Sequence, residues 1–348
     1  MAIVTFDLAE DQVVDSQKVI TSTWSNNTNA LISTGGILTS SIQANFSSPT
    51  GSGQFFINVF DAATSSADAT VQYAVGYGHR AGSGSQNFTD DTGSKGISAT
   101  RVIYNQYRQL VFGDEASNFK FQDHTSNDIY FINVSRKNYK HNLRPGTLNL
   151  TLSGSSEGSK FLHLTDDSIT STGSAVVTNA GRQFNIVSGS NGIRSGSTNA
   201  QLGESASFGL FYPDAGFIIL NPDALRAATD NKTLVTNKTG NTNARNGELL
   251  VNHISGGKSF IVDSEEHITS QYYFVRAKSK QFNYTTNPSF IDNEGNLLFT
   301  SMIDNPQVYI TTIGLYNDTN DLVAVAKLSQ PIKKDFTKEA LIRVKLDY

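Results

Sequence analysis

The stretch Pro306–Leu328, PQVYITTIGLYNDTNDLVAVAKL, holds two apolar runs separated by Asn317-Asp318-Thr319-Asn320-Asp321. Asn and Asp suit a turn because their short side chains bond nearby backbone groups and tolerate the left-handed conformation. Val308–Tyr316 and Leu322–Leu328 are rich in β-branched and aromatic residues, which pack well on a pleated surface. The reading is a β-hairpin. Neither run alternates cleanly between apolar and polar, which predicts that both of its faces are covered. Ala340–Leu346 reads as a further strand nearby.

The rest of the chain is consistent with that start. Of 348 residues, 38% are hydrophobic and only 17% charged. Ser, Thr, Asn and Gly make up the difference and serve turns, caps and the outer faces of strands, so a β-dominated chain is expected. The length allows two or three domains. A net charge of −4 provides no basic footprint for nucleic acid. There is no cysteine, which excludes disulfides, thiolate metal sites and a cysteine nucleophile. The opening residues MAIVTFDLAEDQVV lack a basic segment followed by a long apolar run, so no signal peptide is expected. No window approaches the roughly 18 apolar residues of a membrane span.

Four stretches are distinguished. Residues 1–53 read as an arm of short strands. Residues 54–154 read as an α+β domain, with strands at Gln54–Phe60, Thr70–Gly78, Ile129–Val134 and Thr147–Gly154. Its single clear helix lies near 98–112, capped by Ser98, ended by Gly113, and striped by Val102, Ile103, Tyr107, Leu110 and Val111. A Gly/Ser-rich loop at 78–96 leads into it. Residues 155–247 are β-rich and contain a second strong hairpin, SFGLFYPDAGFIIL, turning at Pro213–Gly216. Asn221 then caps a short helix that starts at Pro222, and 229–247 reads as a polar loop. Residues 248–348 form a C-terminal β domain around hairpin 306–328. The fold class is mainly β, with β-sandwich-like domains and one α+β domain.

No pattern carries catalysis. Gly154-Ser155-Ser156-Glu157-Gly158 fits the serine-hydrolase elbow, but the helix that should follow reads as a strand from Lys160 to Leu164. Gly76-Tyr77-Gly78 has the wrong spacing for a phosphate-cradling loop. The six histidines lack metal-ligand spacing, and His163 with Asp166-Asp167 is the one arrangement worth naming. The acidic turns Asp292–Gly295 and Asn317–Asp321 lack the twelve-residue calcium-loop pattern. Arg136, Lys137, Lys140 and Arg144 form the one basic run. In a net-acidic chain it reads as a solvated turn first and a subunit contact second.

Several segments share specific wording with a known family. They are IYFINVSRKNYKHNLRPGTLNLTLSG, FGLFYPDAGFIILNPDAL, YYFVRA, QFNYTTNP, PQVYITTIGLYND and LVAVAKLSQPIKKDFTKEALIRVKLDY. Across most of 54–348 the chain resembles virion structural proteins of contractile-tailed phages of the cyanobacterial and marine kind. The resemblance implies a non-enzymatic component of the virion, of tail or baseplate type, present in many copies. It implies no catalytic residues, cofactors or metals. Its partners would be further copies of itself and other virion proteins, without nucleic acid or membrane, and its location the virion after synthesis in the host cytoplasm. Loops 78–97 and 229–247 and the termini would be contact elements. The alternative is a carbohydrate- or receptor-binding β module at the particle edge, which would need a cluster of exposed aromatics; Tyr73, Tyr77, Tyr104 and Tyr107 could supply one but read first as core.

Overall fold

The computed structural model describes residues 4–24, 30–31, 39–42, 56–62, 67–84, 99–154, 161–170, 175–195, 206–228, 243–257 and 259–347. Strand accounts for 49% and helix for 15%, so the chain is mainly β. The chain divides into two compact units whose boundaries cut across the first and last of the four stretches read from sequence. The larger is Val19–Glu266; the smaller joins Met1–Lys18 to His267–Tyr348.

The larger unit is built on one antiparallel sheet of thirteen described strands. Eleven of them form a continuous path: Ala30–Leu31, Ser259–Ile261, Asn149–Ser153, Phe161–Asp166, Gly181–Ser190, Gly209–Tyr212, Phe217–Leu220, Asp128–Val134, Val71–His79, Phe56–Phe60 and Thr39–Ile42. The first and last strands of this path are close in the chain, from Leu31 to Thr39. Laid flat, eleven strands would separate them by about 48 Å at the usual strand spacing. The connecting residues span at most about 29 Å. The sheet must therefore curl.

The curl has an inside and an outside, and period-two alternation divides each strand between them. Tyr130, Ile132 and Val134 face the larger core, while Ile129 and Phe131 face a second one. Ile218 and Leu220 divide from Phe217 and Ile219 in the same way. Helix α1 (Ala99–Phe112) covers the outer core with Ile103, Tyr104, Tyr107 and Val111. The helix read near 98–112 is therefore present, but its buried stripe is shifted. Val102 and Leu110 are exposed, and Tyr104 replaces them. The buried positions 103, 104, 107 and 111 follow the 3.6-residue repeat more closely than the expected set. Two strand glycines admit the covering groups: a Cβ at Gly76 would overlap the Phe131 ring, and one at Gly78 would lie 2.9 Å from Tyr104 N on α1. These residues are part of the Val71–His79 strand, so no phosphate-cradling turn exists there.

Helix α2 (Pro222–Ala228) starts where the sequence predicts, with Asn221 Oδ1 accepting from the Asp223 and Ala224 amides at 3.1 and 3.4 Å. Helix α3 (Asn243–Gly257) overturns an expectation: loop to 247 followed by strands. Its Leu250, Val251 and Ile254 belong to the larger core. A Cβ at Gly247 would touch Ile57 Cδ1 at 3.0 Å, and one at Gly257 would overlap the Thr151 carbonyl oxygen. His253 Nδ1 lies 2.7 Å from the Ser153 carbonyl oxygen. The helix thus packs on strands near both ends of the path. Packing overrides the weak helix propensity of its Asn and Gly residues.

The smaller unit is a two-layer sandwich. In one sheet the part of the Asp263–Ala277 strand from His267 onward is flanked by the Gln12–Ser22 strand, whose residues up to Lys18 belong to this unit, and by Ala340–Asp347; the other sheet is the hairpin Val308–Tyr316 and Leu322–Lys334. Ile313, Leu315, Ile342 and Val344 form its core, with Phe6, Tyr273 and Val275 packed against them. The hairpin lies where the opening stretch predicts. Its coverage does not: Tyr309, Leu322, Val323 and Val325 are exposed, so one face is bare. The broken alternation has a local cause, register shifts at Ile310/Thr312 and Leu315/Tyr316. Lys334 is fully buried, and its ammonium donates to Ser279 O, Asn283 Oδ1 and Asp335 O, which satisfies all three protons.

Candidate functional site

The basic run sits in the larger unit immediately after the Asp128–Val134 strand, as one 3₁₀ turn, Arg136–Asn138, followed by the short Asn142–Leu143 strand. Arg136 donates to the Tyr139 carbonyl at 2.5 Å, and its guanidinium lies 4.6 Å from the centre of the Tyr139 ring. Tyr139 is buried and donates its hydroxyl to Ala215 O at 3.1 Å. Gly216, at φ +73°, leaves room for that ring in the hairpin turn. Below the turn, Asn138 bonds Gln72 Oε1 and the Lys140 amide donates to Ser264 Oγ, both at 3.0 Å. Asn142 and Leu143 pair with Glu265 and Ser264.

Arg144 ties down the far end. Its amide donates to Asp263 O at 2.7 Å, and its Nε lies 4.0 Å from the buried carboxylate of Glu265. Burial raises the Asp263 carboxyl above the ordinary range, although the Arg144 charge pulls it down. The four cations thus divide. Arg136 and Arg144 are used by the fold, whereas Lys137 and Lys140 are exposed and make no ion pair among the described residues. The arrangement is a basic projection braced from beneath. Chemically it can meet carboxylates or other acceptors.

The other named residues do not converge. Asp166 and His163 lie on opposite faces of one strand. Asp166 is buried, its carboxylate taking the Gly146 amide at 2.9 Å and the Ser168 hydroxyl, while His163 is exposed beside Thr151. Ser156 and Ser98, the expected helix cap, lie outside the described residues, as do 85–97 and 229–242 within the two proposed contact loops. The acidic turns are closed by their own backbone: Asp292 accepts from the Glu294 and Asn296 amides, and Asn317 from those of Thr319 and Asp321. Among the described residues no three His, Asp or Glu side chains are placed to hold a metal ion, and no helix is long and apolar enough to cross a membrane. Tyr73, Tyr77, Tyr104 and Tyr107 are at most 6% exposed, so they form no sugar-stacking platform.

Sequence reasoning missed a second feature of the larger unit, the Arg182–Asp214 clamp. Arg182 reaches the carboxylate through Nε at 3.1 Å and through its terminal nitrogen at 2.6 Å, and its amide donates at 2.8 Å. Burial alone would raise the Asp214 carboxyl, but the Arg182 hydrogen bonds hold it below the usual range. The clamp joins the Pro213–Gly216 turn to the strand at Gly181, and only the fold brings the two together. No family model, curated protein or solved structure matches the chain.

Proposed function

We propose that this chain is a non-enzymatic structural component of a phage virion, of tail or baseplate type. It would act by self-association and by contacts with other virion proteins. The family wording in the sequence supplies the class of particle. The observation that carries the reading is the turn at 136–144, whose braced backbone presents the exposed side chains of Lys137 and Lys140. A braced backbone suits docking on an acidic partner surface better than a floppy loop, because less backbone freedom is lost. The bare apolar face of the hairpin, with Val323 at 68% exposure, supports the same reading, since such faces mark interaction surfaces.

The test is the chain in its particle. Cross-linking of intact virions is expected to connect Lys137 and Lys140 to acidic segments of neighbouring subunits. A Lys137→Glu/Lys140→Glu variant is expected to fold normally and to be incorporated poorly. A purified chain that remains monomeric and captures no other virion protein would falsify the proposal.

A further inference from the structure

Two exposed features of the smaller unit carry opposite charge. The first is the turn Asp7–Asp11, DLAED. Its own carboxylates close it: the Ala9 amide donates to Asp7 Oδ1 and the Asp7 amide to Asp11 Oδ2, both at 3.0 Å. It is anchored on either side, by the Phe6 ring against Tyr273 and by the Phe274 amide, which donates to Asp11 O at 2.8 Å. Held this way, the turn presents Leu8 at 66% exposure beside the exposed side chains of Asp7 and Glu10.

The second feature is the bare side of the hairpin. Ile313, Leu315, Ala324 and Ala326 belong to the core, so alternation sets Thr312, Gly314, Val325 and Lys327 outward. Gly314 pairs with Val325, and Thr312 with Lys327. Leu322 leans onto Gly314, where an added Cβ would lie 3.0 Å from Leu322 Cδ1. The strip is thus apolar at Leu322, Val323 and Val325 and cationic two residues further along, at Lys327. Lys327 and Glu10 are both exposed, and neither makes an ion pair among the described residues.

We propose that the Asp7–Asp11 turn of one copy docks on this strip of the next, Leu8 against Leu322 and Val325, Glu10 against Lys327. The proposal deepens the assembly reading and rests on it: it names the partner as a second copy and the contact as head-to-tail. Charge selects the occupant. None of the outward strip residues is acidic, so strip on strip leaves Lys327 unmatched, and turn on turn sets carboxylates together. Turn on strip matches the charges and the apolar side chains at once. Both features are exposed within one chain, so they do not cover each other there. A contact between two unlike surfaces is heterologous, and its repetition closes a ring or extends a filament. That suits a component present in many copies.

The chain has no cysteine, so introduced thiols report only the contact under test. Leu8→Cys in one full chain and Val325→Cys in a second, distinguished by a tag, both replace exposed side chains. After oxidation with copper phenanthroline, the mixture is expected to give the mixed dimer at least about tenfold above either like pair, because the contact sets 8 against 325 and never 8 against 8. Lys327→Glu in the Val325→Cys chain is expected to lower that yield about tenfold, and Glu10→Lys in its partner to restore it. The restoration separates charge pairing from damage to either chain. A mixed dimer no more abundant than the like pairs, or one indifferent to Lys327→Glu, overturns this contact. The assembly reading then stands if the unaltered chain still sediments as an oligomer or captures another virion protein. It falls with the contact if the chain does neither.

Discussion

The two units bury their strands to different depths. In the larger, Tyr130, Ile132, Phe211 and Ile218 are at 0% exposure, because helices lie against both faces of the curled sheet. In the smaller, the most central residues, Ile313, Leu315, Ile342 and Val344, retain 6–9%. Two thin sheets face each other there, and no described helix adds a third layer. The difference teaches what closure achieves. A curled sheet packed inside and out needs nothing further to cover it, whereas a two-layer sandwich of few strands sits near the lower limit of an adequate core. Among the described residues its hairpin keeps Tyr309, Val323 and Val325 exposed, and apolar residues on such a face suit an interaction surface.

This contrast can be broken by substitution, and the single tryptophan makes the measurement selective. Trp24 is buried in the larger unit, so its emission follows that unit alone. The largest effect is expected for Phe260→Ala. Phe260 packs on Trp24 and Tyr73 with ring centroids 4.9 and 5.3 Å away, and Trp24 Nε1 donates to its carbonyl. Loss of about 4 kcal/mol in urea unfolding monitored by Trp24 is expected. A loss below about 1 kcal/mol would mean that the three-ring cluster is not the centre of the fold. Gly257→Ala comes next, at about 3 kcal/mol by the same measurement, because the added methyl meets the Thr151 backbone and cannot be accommodated by a rotamer change.

Ile342→Ala in the smaller unit should cost less, about 2 kcal/mol, since its cavity opens towards water. Circular dichroism should register that loss while the Trp24 transition stays in place. A shift of the Trp24 transition would show the two units to be energetically coupled.

The smallest effect is one of sign. Burial raises the Asp166 carboxyl above the ordinary range, against the lowering pull of Ser168, Gly146 and Leu148. A group raised in the folded state contributes its stability fully below its unfolded value and loses it as pH climbs through the folded one. Wild type and Asp166→Asn should therefore unfold alike in acid. The variant should become the more stable by less than about 1 kcal/mol once the pH passes the carboxylate range. A wild type that gains on the variant as pH rises would show that the hydrogen bonds outweigh burial.

Much of this fold was legible locally. The hairpins 207–220 and 308–334, the helix ended by Gly113 and the Asn221 cap are all dictated by residues within a few positions of one another. Helix α3 was not, although Leu250, Val251 and Ile254 carry its apolar face; Asn and Gly at its start and end mimic a loop until the sheet packs against them. The basic turn was visible as composition. Its division into two bracing arginines and two exposed lysines was not, because the division depends on Tyr139, Asp263 and Glu265.

By itself the amino-acid order determined the strand content, the turns, the caps and the absence of thiol chemistry, since each follows from backbone preference and residue type over short range. Only the tertiary structure decided that strands read as separate sandwiches join in one curled sheet. It alone placed a helix across that sheet and left the opening hairpin bare on one side. Those outcomes rest on pairings between positions as distant as Ala30 and Ile261, and contacts of that span depend on how the whole chain closes.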